Sequence, residues 1–134
     1  MIELAVTDAH TLIWYGLRRF RKIGAAARKV LDRADAGRAA VYVPTIALVE
    51  IAEAVYRGRV DITDGFAVWA ERLFSTRHFI PADLTFDVVL QAEELHGIPE
   101  RGDRLIAATA MDLGYPLLTR DTNLHRIPGL ETVW

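Results

Sequence analysis

The sequence predicts an α/β fold with a central, mainly parallel sheet of about four to five strands and helices on both faces. Two observations lead to this prediction. Short apolar segments recur along the chain, and longer segments with apolar residues at helical spacing lie between them. No internal repeat, linker or low-complexity tract interrupts this alternation. Strands that alternate with helices form parallel sheets through right-handed crossovers, so we expect one domain over residues 1–134.

The predicted strands are short apolar runs that end at a polar residue or at proline. Ala39 to Val43 is an example, and Pro44 ends it. The run at the end of the sequence suits an edge strand. The predicted strands are residues 2–6, 39–43, 78–80, 116–119 and 132–134.

The predicted helices have apolar residues three and four positions apart, and several are followed by glycine. Thr11 suits the cap of the first helix, and Pro44 suits the first turn of the third. Residues 98–102 are expected to form a loop, and residues 121–125 a single turn. The predicted helices are residues 11–18, 23–36, 44–56, 64–74, 84–95 and 103–113.

The composition is that of a globular protein, with 51% hydrophobic and 25% charged residues. The absence of cysteine excludes disulfides, a thiolate nucleophile and a zinc–thiolate site. No apolar run approaches the ~20 residues that span a bilayer. The first residues also lack the basic-then-apolar pattern of a signal peptide. We therefore expect a cytoplasmic protein that does not bind membranes.

The net charge of −2, from 16 basic and 18 acidic residues, does not by itself indicate a nucleic-acid-binding protein. The basic residues are unevenly distributed along the chain. Six of them lie between Asp8 and the next acidic residue, Asp32. Arginine suits bidentate phosphate contact, but a solvated helix surface is the simpler interpretation of this cluster. Its members are Arg18, Arg19, Arg21, Lys22, Arg28 and Lys29.

Four acids stand beside predicted strands and helices. Asp8 and Asp121 each follow a predicted strand, and Asp103 opens a predicted helix. Each has an ordinary structural explanation, as a helix cap, a turn residue or a partner of the helix dipole. Glu50 is different, because it lies mid-helix among apolar residues with no basic residue one turn away. A charge in that setting is costly unless it is paired or bound to a cation.

Taken together, the four acids predict a metal site. The carboxyl ends of parallel strands open on one side of a sheet, which is where such sheets bind ligands. Clustered carboxylates repel one another unless a cation intervenes, and hard oxygen ligands favour Mg²⁺ or Mn²⁺. Such an ion assists phosphodiester hydrolysis. The predicted catalytic residues are Asp8, Glu50, Asp103 and Asp121.

Neighbouring polar residues receive lesser roles. The hydroxyl of Thr119 stands two residues before Asp121 and is predicted to orient a carboxylate or a bound water. Thr7 is interpreted as an ordinary strand residue, and a structural role is favoured over substrate contact for His10. For Asn123 two roles stay open, contact with the site through its amide and stabilisation of the turn after Asp121.

Four segments in this order resemble the PIN domain and, more narrowly, the VapC-type ribonuclease toxins of bacterial and archaeal toxin–antitoxin systems. The resemblance extends from the first strand to Trp134. Each motif is weak alone, and the four in order are fairly specific. The segments are Val6-Thr7-Asp8-Ala9-His10-Thr11-Leu12-Ile13-Trp14, Val49-Glu50-Ile51-Ala52-Glu53, Asp103-Arg104-Leu105-Ile106-Ala107-Ala108-Thr109-Ala110 and Leu117-Leu118-Thr119-Arg120-Asp121.

The resemblance implies a PIN-like three-layer α/β/α sandwich and a Mg²⁺- or Mn²⁺-dependent endoribonuclease. Asp8 and Asp103 match the principal metal ligands of the family. Glu50 and Asp121 would complete the site directly or through water, and Thr119 matches the family's hydroxyl residue. The implied partners are an RNA substrate, a second copy in a homodimer and a small antitoxin that covers or enters the site.

One segment departs from the family pattern. Many relatives carry Asp-Pro and a histidine before the third acidic motif, whereas this chain has Ile98-Pro99-Glu100-Arg101-Gly102. Glu100 offers a further acid there, and Gly102 makes the loop different. The substrate contacts of this loop are therefore left open.

Other functions were weighed against this one. A haloacid-dehalogenase-type phosphatase needs a second aspartate where His10 stands, and a receiver domain needs a late lysine that the chain lacks. Two alternatives remain open at this point. One is a non-catalytic PIN-like module that binds RNA or protein, and the other is a PIN nuclease of RNA processing that has no antitoxin.

Overall fold

A computed structural model describes residues 1–134 and contains five strands, six α-helices and two short 3₁₀ helices. The strands are β1 (Leu4–Thr7), β2 (Ala40–Pro44), β3 (Phe79–Ala82), β4 (Leu117–Leu118) and β5 (Thr132–Val133). The α-helices are α1 (Ala9–Gly16), α2 (Ala25–Asp35), α3 (Thr45–Tyr56), α4 (Phe66–Ser75), α5 (Phe86–Glu93) and α6 (Arg101–Leu113). The 3₁₀ helices are Phe20–Lys22 and Leu124–Arg126.

The five strands form one sheet in the order β3-β2-β1-β4-β5, and every neighbouring pair is parallel. The predicted α/β/α fold and the predicted parallel sheet are therefore confirmed, and β5 lies at an edge as expected. β1 is central, with β2 on one side and β4 on the other. The chain leaves β1 in one direction for β2 and β3 and later returns on the other side, so the strand order reverses between β1 and β4. Ligands of open α/β sheets bind at such a point.

The core explains why the strands are continuous apolar runs. Strands that are covered by helices on both faces bury every side chain, whichever way it points. Val6, Val41, Val43, Leu117 and Leu118 are all fully buried. The apolar segments in the sequence are therefore the strands themselves.

Helix α6 crosses the central strands on small residues. Ala107, Ala108 and Ala110 are fully buried, and Ile106 is almost so. Small side chains let a helix approach the sheet and its neighbouring helices closely. This close packing carries the first turn of α6 to the carboxyl end of β1.

Most element boundaries differ from the prediction by one or two residues, which is ordinary fraying. Three differences change the type of structure assigned to a residue or segment. Helix α6 begins at Arg101, so part of the segment predicted as the 98–102 loop is helical. Pro44 ends β2 instead of occupying the first turn of α3. The 3₁₀ turn at Phe20–Lys22 was not predicted, because three residues are too few to show a periodic pattern.

Thr11 was predicted to cap α1, which is wrong, whereas the capping interpretation of Asp8 is confirmed. Asp8, not Thr11, is the N-cap, and its carboxylate accepts a hydrogen bond from the Thr11 backbone N–H at 2.9 Å. Thr11 is fully buried inside the first turn, and its hydroxyl donates to the Leu118 carbonyl at 3.4 Å. The side chain of Thr11 therefore ties α1 to β4.

None of the helices combines the length and the apolar character that crossing a bilayer requires.

Candidate active site

The carboxyl ends of β1 and β4 bring Asp8 and Asp121 to the same edge of the sheet. Asp8 directly follows β1, and its backbone N–H donates to the Leu118 carbonyl of β4 at 3.3 Å. Asp121 follows β4 after two residues. The fully buried Thr119 hydroxyl accepts a hydrogen bond from the Asp121 N–H at 3.2 Å. The buried side chain of Thr119 thereby fixes the position of the Asp121 backbone.

Asp8 has a structural contact and a free oxygen. Its Oδ1 caps α1 through the Thr11 N–H, whereas its Oδ2 has no hydrogen-bond partner in the protein. The Thr7 hydroxyl donates to the Asp8 carbonyl at 3.0 Å. The capping explanation thus accounts for one carboxylate oxygen and leaves the other available to a ligand.

Glu50 and Gly102 are in close contact where α3 meets the first turn of α6. A Cβ atom placed on Gly102 would lie 2.5 Å from Glu50 Oε1 and 2.9 Å from Glu50 Cδ. No side chain larger than hydrogen fits there unless Glu50 moves. Glu50 Oε1 is buried and has no hydrogen-bond partner. A buried unpaired carboxylate oxygen is rare in folded proteins and calls for a ligand or a proton.

Asp103 lies beside Glu100 in the first turn of α6. Burial is the main cause of a raised pKa at Asp103, and the neighbouring Glu100, Asp121 and Glu50 act in the same direction. Together these effects raise the pKa of Asp103 to about 7. Asp103 therefore lies within electrostatic reach of three other acids.

The charge on Glu50 is also disfavoured. Burial is the main cause, and the neighbouring charges of Glu100, Asp8 and Glu53 act in the same direction, which raises the pKa of Glu50 to about 7. These mutual effects connect six carboxylates, and we call the five other than Glu53 the acidic cluster. It consists of Asp8, Glu50, Glu100, Asp103 and Asp121.

No basic side chain neutralises the acidic cluster. The three ion pairs of the structure all lie outside it, so the cluster carries uncompensated negative charge. These pairs are Arg28–Asp32, Arg72–Asp64 and His96–Glu93.

The donors of the acidic cluster fit a hard divalent cation. All are carboxylate oxygens, which Mg²⁺ and Mn²⁺ prefer. The unpaired Oε1 of Glu50 and the free Oδ2 of Asp8 offer lone pairs that no protein group uses. As they stand, no three acidic or histidine side chains are spaced to hold one ion. Repulsion keeps unneutralised carboxylates apart, so binding of a cation requires other side chains of the cluster to rotate towards the carboxylate of Asp8, which the cap holds in place.

An open groove of about 640 Å³ adjoins the acidic cluster and runs between α1 and α3. Glu50, Glu100 and Gly102 line one part of it. Apolar residues of α1, of α3 and of the segments that follow these helices also line it, namely Ile13, Leu17, Ile46, Val49 and Val60. Arginines that follow the C-terminal ends of α1 and α3 also line it, namely Arg19, Arg57 and Arg59.

The residues that were given lesser roles lie around this site. Thr7 is fully buried, and the backbone N–H of Asn123 donates to Asp121 Oδ1 at 2.9 Å, as a turn residue does. His10 is exposed, and its ring lies 5.8 Å from that of Trp14. Gly102 is the residue that the sequence reasoning undervalued. The signal was a glycine among acids at the start of an apolar helix.

Three comparisons place the chain among known proteins. A profile of the PIN domain matches residues 5–130. The chain is 29% identical over 131 residues to Ribonuclease VapC22 of Mycobacterium tuberculosis (strain ATCC 25618 / H37Rv), and the alignment covers 95% of each protein.

Solved structures share the fold at lower identity. VapBC2 from Rickettsia felis, bound to a DNA fragment from its promoter, superposes with a TM-score of 0.73 at 15% identity and 97% coverage of both chains. DNA-bound VapBC from Salmonella typhimurium superposes with a TM-score of 0.70 at 18% identity, covering 99% of this chain and 98% of that chain. At these identities the likeness establishes the fold alone.

Proposed function

This chain belongs to the PIN domain family, and from that membership we propose that it is a Mg²⁺-dependent endoribonuclease, with Mn²⁺ as a substitute, that acts as the toxin of a toxin–antitoxin pair. Its similarity to Ribonuclease VapC22 over 95% of both chains supports the reaction. RNA is the proposed substrate, which places the activity in the cytoplasm.

The observation that carries the proposal is the uncompensated acidic cluster at the carboxyl ends of β1 and β4. Five carboxylates with no basic partner are unfavourable in a protein that has no use for them. The neighbouring carboxyl groups of Asp103 and Glu100, the unpaired Oε1 of Glu50 and the close approach of Gly102 all concentrate carboxylate oxygen at one place. A divalent cation is the ligand that matches this chemistry.

We assign the metal-holding roles to particular side chains. Asp8, through Oδ2, and Asp103 would be the principal ligands, with Glu50 and Asp121 completing the site directly or through water. When bound, the cation would lower the pKa of a coordinated water and offset charge on the phosphoryl group. Thr119 acts through Asp121, because its hydroxyl holds the Asp121 backbone in place.

The remaining steps belong to the side chains themselves. The Asp103 carboxyl, whose pKa burial and its acidic neighbours raise to about 7, would have to be deprotonated to hold a cation. Gly102 leaves room for Glu50 to stay beside α6. The groove between α1 and α3 gives an extended strand access to the acidic cluster.

The test is cleavage of defined transfer and ribosomal RNAs by the purified protein during a titration with MgCl₂ and MnCl₂. Asp8→Asn and Asp103→Asn should each lower cleavage at least about a hundredfold, because each removes a ligand charge. Asparagine also caps helices, so Asp8→Asn keeps the fold. Asp112→Asn, which changes an exposed acid on α6, is the matched control. Cleavage that survives in both variants, or that needs no divalent cation, contradicts the assignment.

An antitoxin is the proposed protein partner. The superposed structures from Rickettsia felis and Salmonella typhimurium are VapBC assemblies, and this chain shares their fold. We expect a neighbouring reading frame to encode a small DNA-binding protein. Expression of the chain alone should arrest growth, and co-expression of the neighbour should relieve the arrest. Equal growth with and without the wild-type chain would count against the toxin role.

A homodimer is the proposed state in solution. Four large apolar side chains are exposed together before and along α5, which is unusual for a monomer surface. They are Leu84, Phe86, Val89 and Leu90, with exposed fractions of 45%, 75%, 46% and 52%. Light scattering should give twice the monomer mass for the wild type and the monomer mass for Phe86→Ser. A monomeric wild type would refute this assembly.

A further inference from the structure

Trp14 lies at the rim of the groove and carries two cations on its ring. The Arg120 guanidinium carbon lies 4.7 Å from the centre of the Trp14 ring, and Lys22 Nζ lies 5.8 Å from it. The edge of the Trp134 ring packs against Trp14 at 6.2 Å. Trp134 is in turn held against Gly24, where a Cβ atom would lie 2.5 Å from the Trp134 carbonyl carbon. The indole is therefore fixed on several sides.

Arg120 stands next to Asp121 of the acidic cluster and does not pair with it. The guanidinium has no carboxylate within ion-pair distance and forms no hydrogen bond in the structure, and the side chain is exposed. Asp121 instead uses its Oδ1 to accept a hydrogen bond from the Asn123 backbone N–H. Stacking on Trp14 thus keeps the cation away from the acids and leaves all of its donors free.

A free arginine beside an acidic site suits one kind of ligand. An RNA strand that approaches the acidic cluster brings phosphates that the carboxylates repel, and a fixed positive charge beside the cluster lowers this repulsion in addition to a bound metal ion. Arginine matches phosphate oxygens through its planar fork of donors. Arg120 also differs from Arg19, Arg57 and Arg59 of the groove, since among these only its side chain is immobilised on an aromatic ring. Ordering a side chain in the free protein lowers the entropy lost on binding.

We propose that Arg120, positioned by its stacking on Trp14, binds a phosphate of the RNA strand next to the one that is cleaved. The inference rests on the proposed ribonuclease function and extends it to how the substrate is held. Trp14 is a positioning residue, because it acts through Arg120. Lys22, on the same ring, contributes a second positive charge on this side of the site.

Binding can be measured without cleavage. In an Asp103→Asn background, the anisotropy of a fluorescein-labelled single-stranded RNA of mixed sequence reports affinity over a series of KCl concentrations. Arg120→Ala should weaken binding roughly tenfold and reduce the slope of log K against log salt by about 0.7, the value for one phosphate contact on a single strand. Arg120→Lys should keep the slope and lose part of the affinity, because it keeps the charge but loses the stacked fork. Arg38→Ala is the matched control, since Arg38 is exposed at the amino end of β2, the opposite end of the sheet.

Positioning by Trp14 has its own signature. Trp14→Phe retains a ring and should bind nearly as the parent does, whereas Trp14→Leu should bind as weakly as Arg120→Ala. Combining Trp14→Leu with Arg120→Ala should add nothing further, because both remove the same contact. In the active protein, Arg120→Ala should raise KM roughly tenfold and change kcat less than about threefold, since the contact is made equally in the bound and transition states.

The outcomes separate the inference from the function on which it rests. If the wild type cleaves RNA and Arg120→Ala has the KM and salt slope of Arg38→Ala, the inference is wrong and the function stands. A lower melting temperature of Arg120→Ala with an unchanged slope shows a purely structural role, which also overturns it. If the wild type neither binds nor cleaves RNA with Mg²⁺ present, the proposed function fails and the inference fails with it.

Discussion

Glu50→Gln should stabilise the metal-free protein at alkaline pH. The pKa of the Glu50 carboxyl is raised from its ordinary 4.5 to about 7, mainly by burial and further by Glu100, Asp8 and Glu53. Between these two values the unfolded chain has lost the proton and the folded protein has kept it. The stability of the wild type therefore falls as pH rises through this window and reaches its lower level above about pH 7. Glutamine has the same shape and no charge, so the variant escapes this loss.

The size of the effect follows from the same shift. A rise from 4.5 to about 7 corresponds to an upper limit of about 3 kcal/mol, at about 1.4 kcal/mol per pH unit. Glu50 is only half-buried, so solvent screening reduces the penalty to about 1–2 kcal/mol. For a domain of this length, 1 kcal/mol changes the melting temperature by roughly 4 °C. The variant should melt several degrees higher than the wild type in EDTA at about pH 8, and about equally at about pH 5.

Thermal unfolding in EDTA across this pH range measures the difference. Glu71→Gln, which changes an exposed acid on α4 outside the cluster, is the control and should follow the wild type at every pH. A Glu50→Gln variant with the same pH dependence as the wild type would show that Glu50 is not the group that titrates. A variant less stable than the wild type at about pH 8 would show that the charge of Glu50 is compensated in the protein.

Three further outcomes follow from the same contacts. Gly102→Ala should lower cleavage roughly tenfold or more, because the new methyl group displaces the Glu50 carboxylate. The free energy of unfolding should hardly change, since alanine also stabilises the helix by about 1 kcal/mol. Cleavage kinetics and melting curves measure the two effects separately. Thr119→Val should cost about 1 kcal/mol in unfolding free energy and reduce cleavage, since the Asp121 N–H loses its acceptor, and Thr119→Ser should restore both. Mg²⁺ at ten times its dissociation constant should stabilise the wild type by about 1.4 kcal/mol and Asp8→Asn by much less, which melting curves with and without MgCl₂ would detect.

The sheet could be predicted from the sequence because its strands are buried on both faces. Residues such as Val41, Val43 and Leu117 form apolar runs that need no periodic pattern to be recognised. Strand order was not predicted, because it depends on how α1, α2 and α6 pack across the faces. The position of Asp8 and Asp121 at one edge follows from parallel strands alone, whereas Glu50 and Asp103 reach it through the packing of α3 and α6. Their catalytic roles stay predictions.

The contacts between distant segments could not be predicted. Gly102 faces Glu50 only because α6 starts at Arg101 and packs against α3. The sequence showed a glycine in a presumed loop, where its usual explanation is backbone freedom. In the structure Gly102 lies in helix α6, and it matters because any side chain there would displace the Glu50 carboxylate. The stacking of Arg120 on Trp14 likewise brings together two segments that are far apart in the chain, namely helix α1 and the segment that follows β4.

Asp8 shows why structural and functional explanations of one residue need not compete. Judged alone, its position after β1 is equally typical of a helix cap and of a ligand at the carboxyl edge of a sheet. The structure gives Oδ1 to the cap and leaves Oδ2 without a partner. The cap fixes the side-chain rotamer, and a fixed rotamer is what a ligand needs if the second oxygen is to point at the same place in every molecule. Capping at Asp8 is therefore compatible with the proposed metal-binding role and does not replace it.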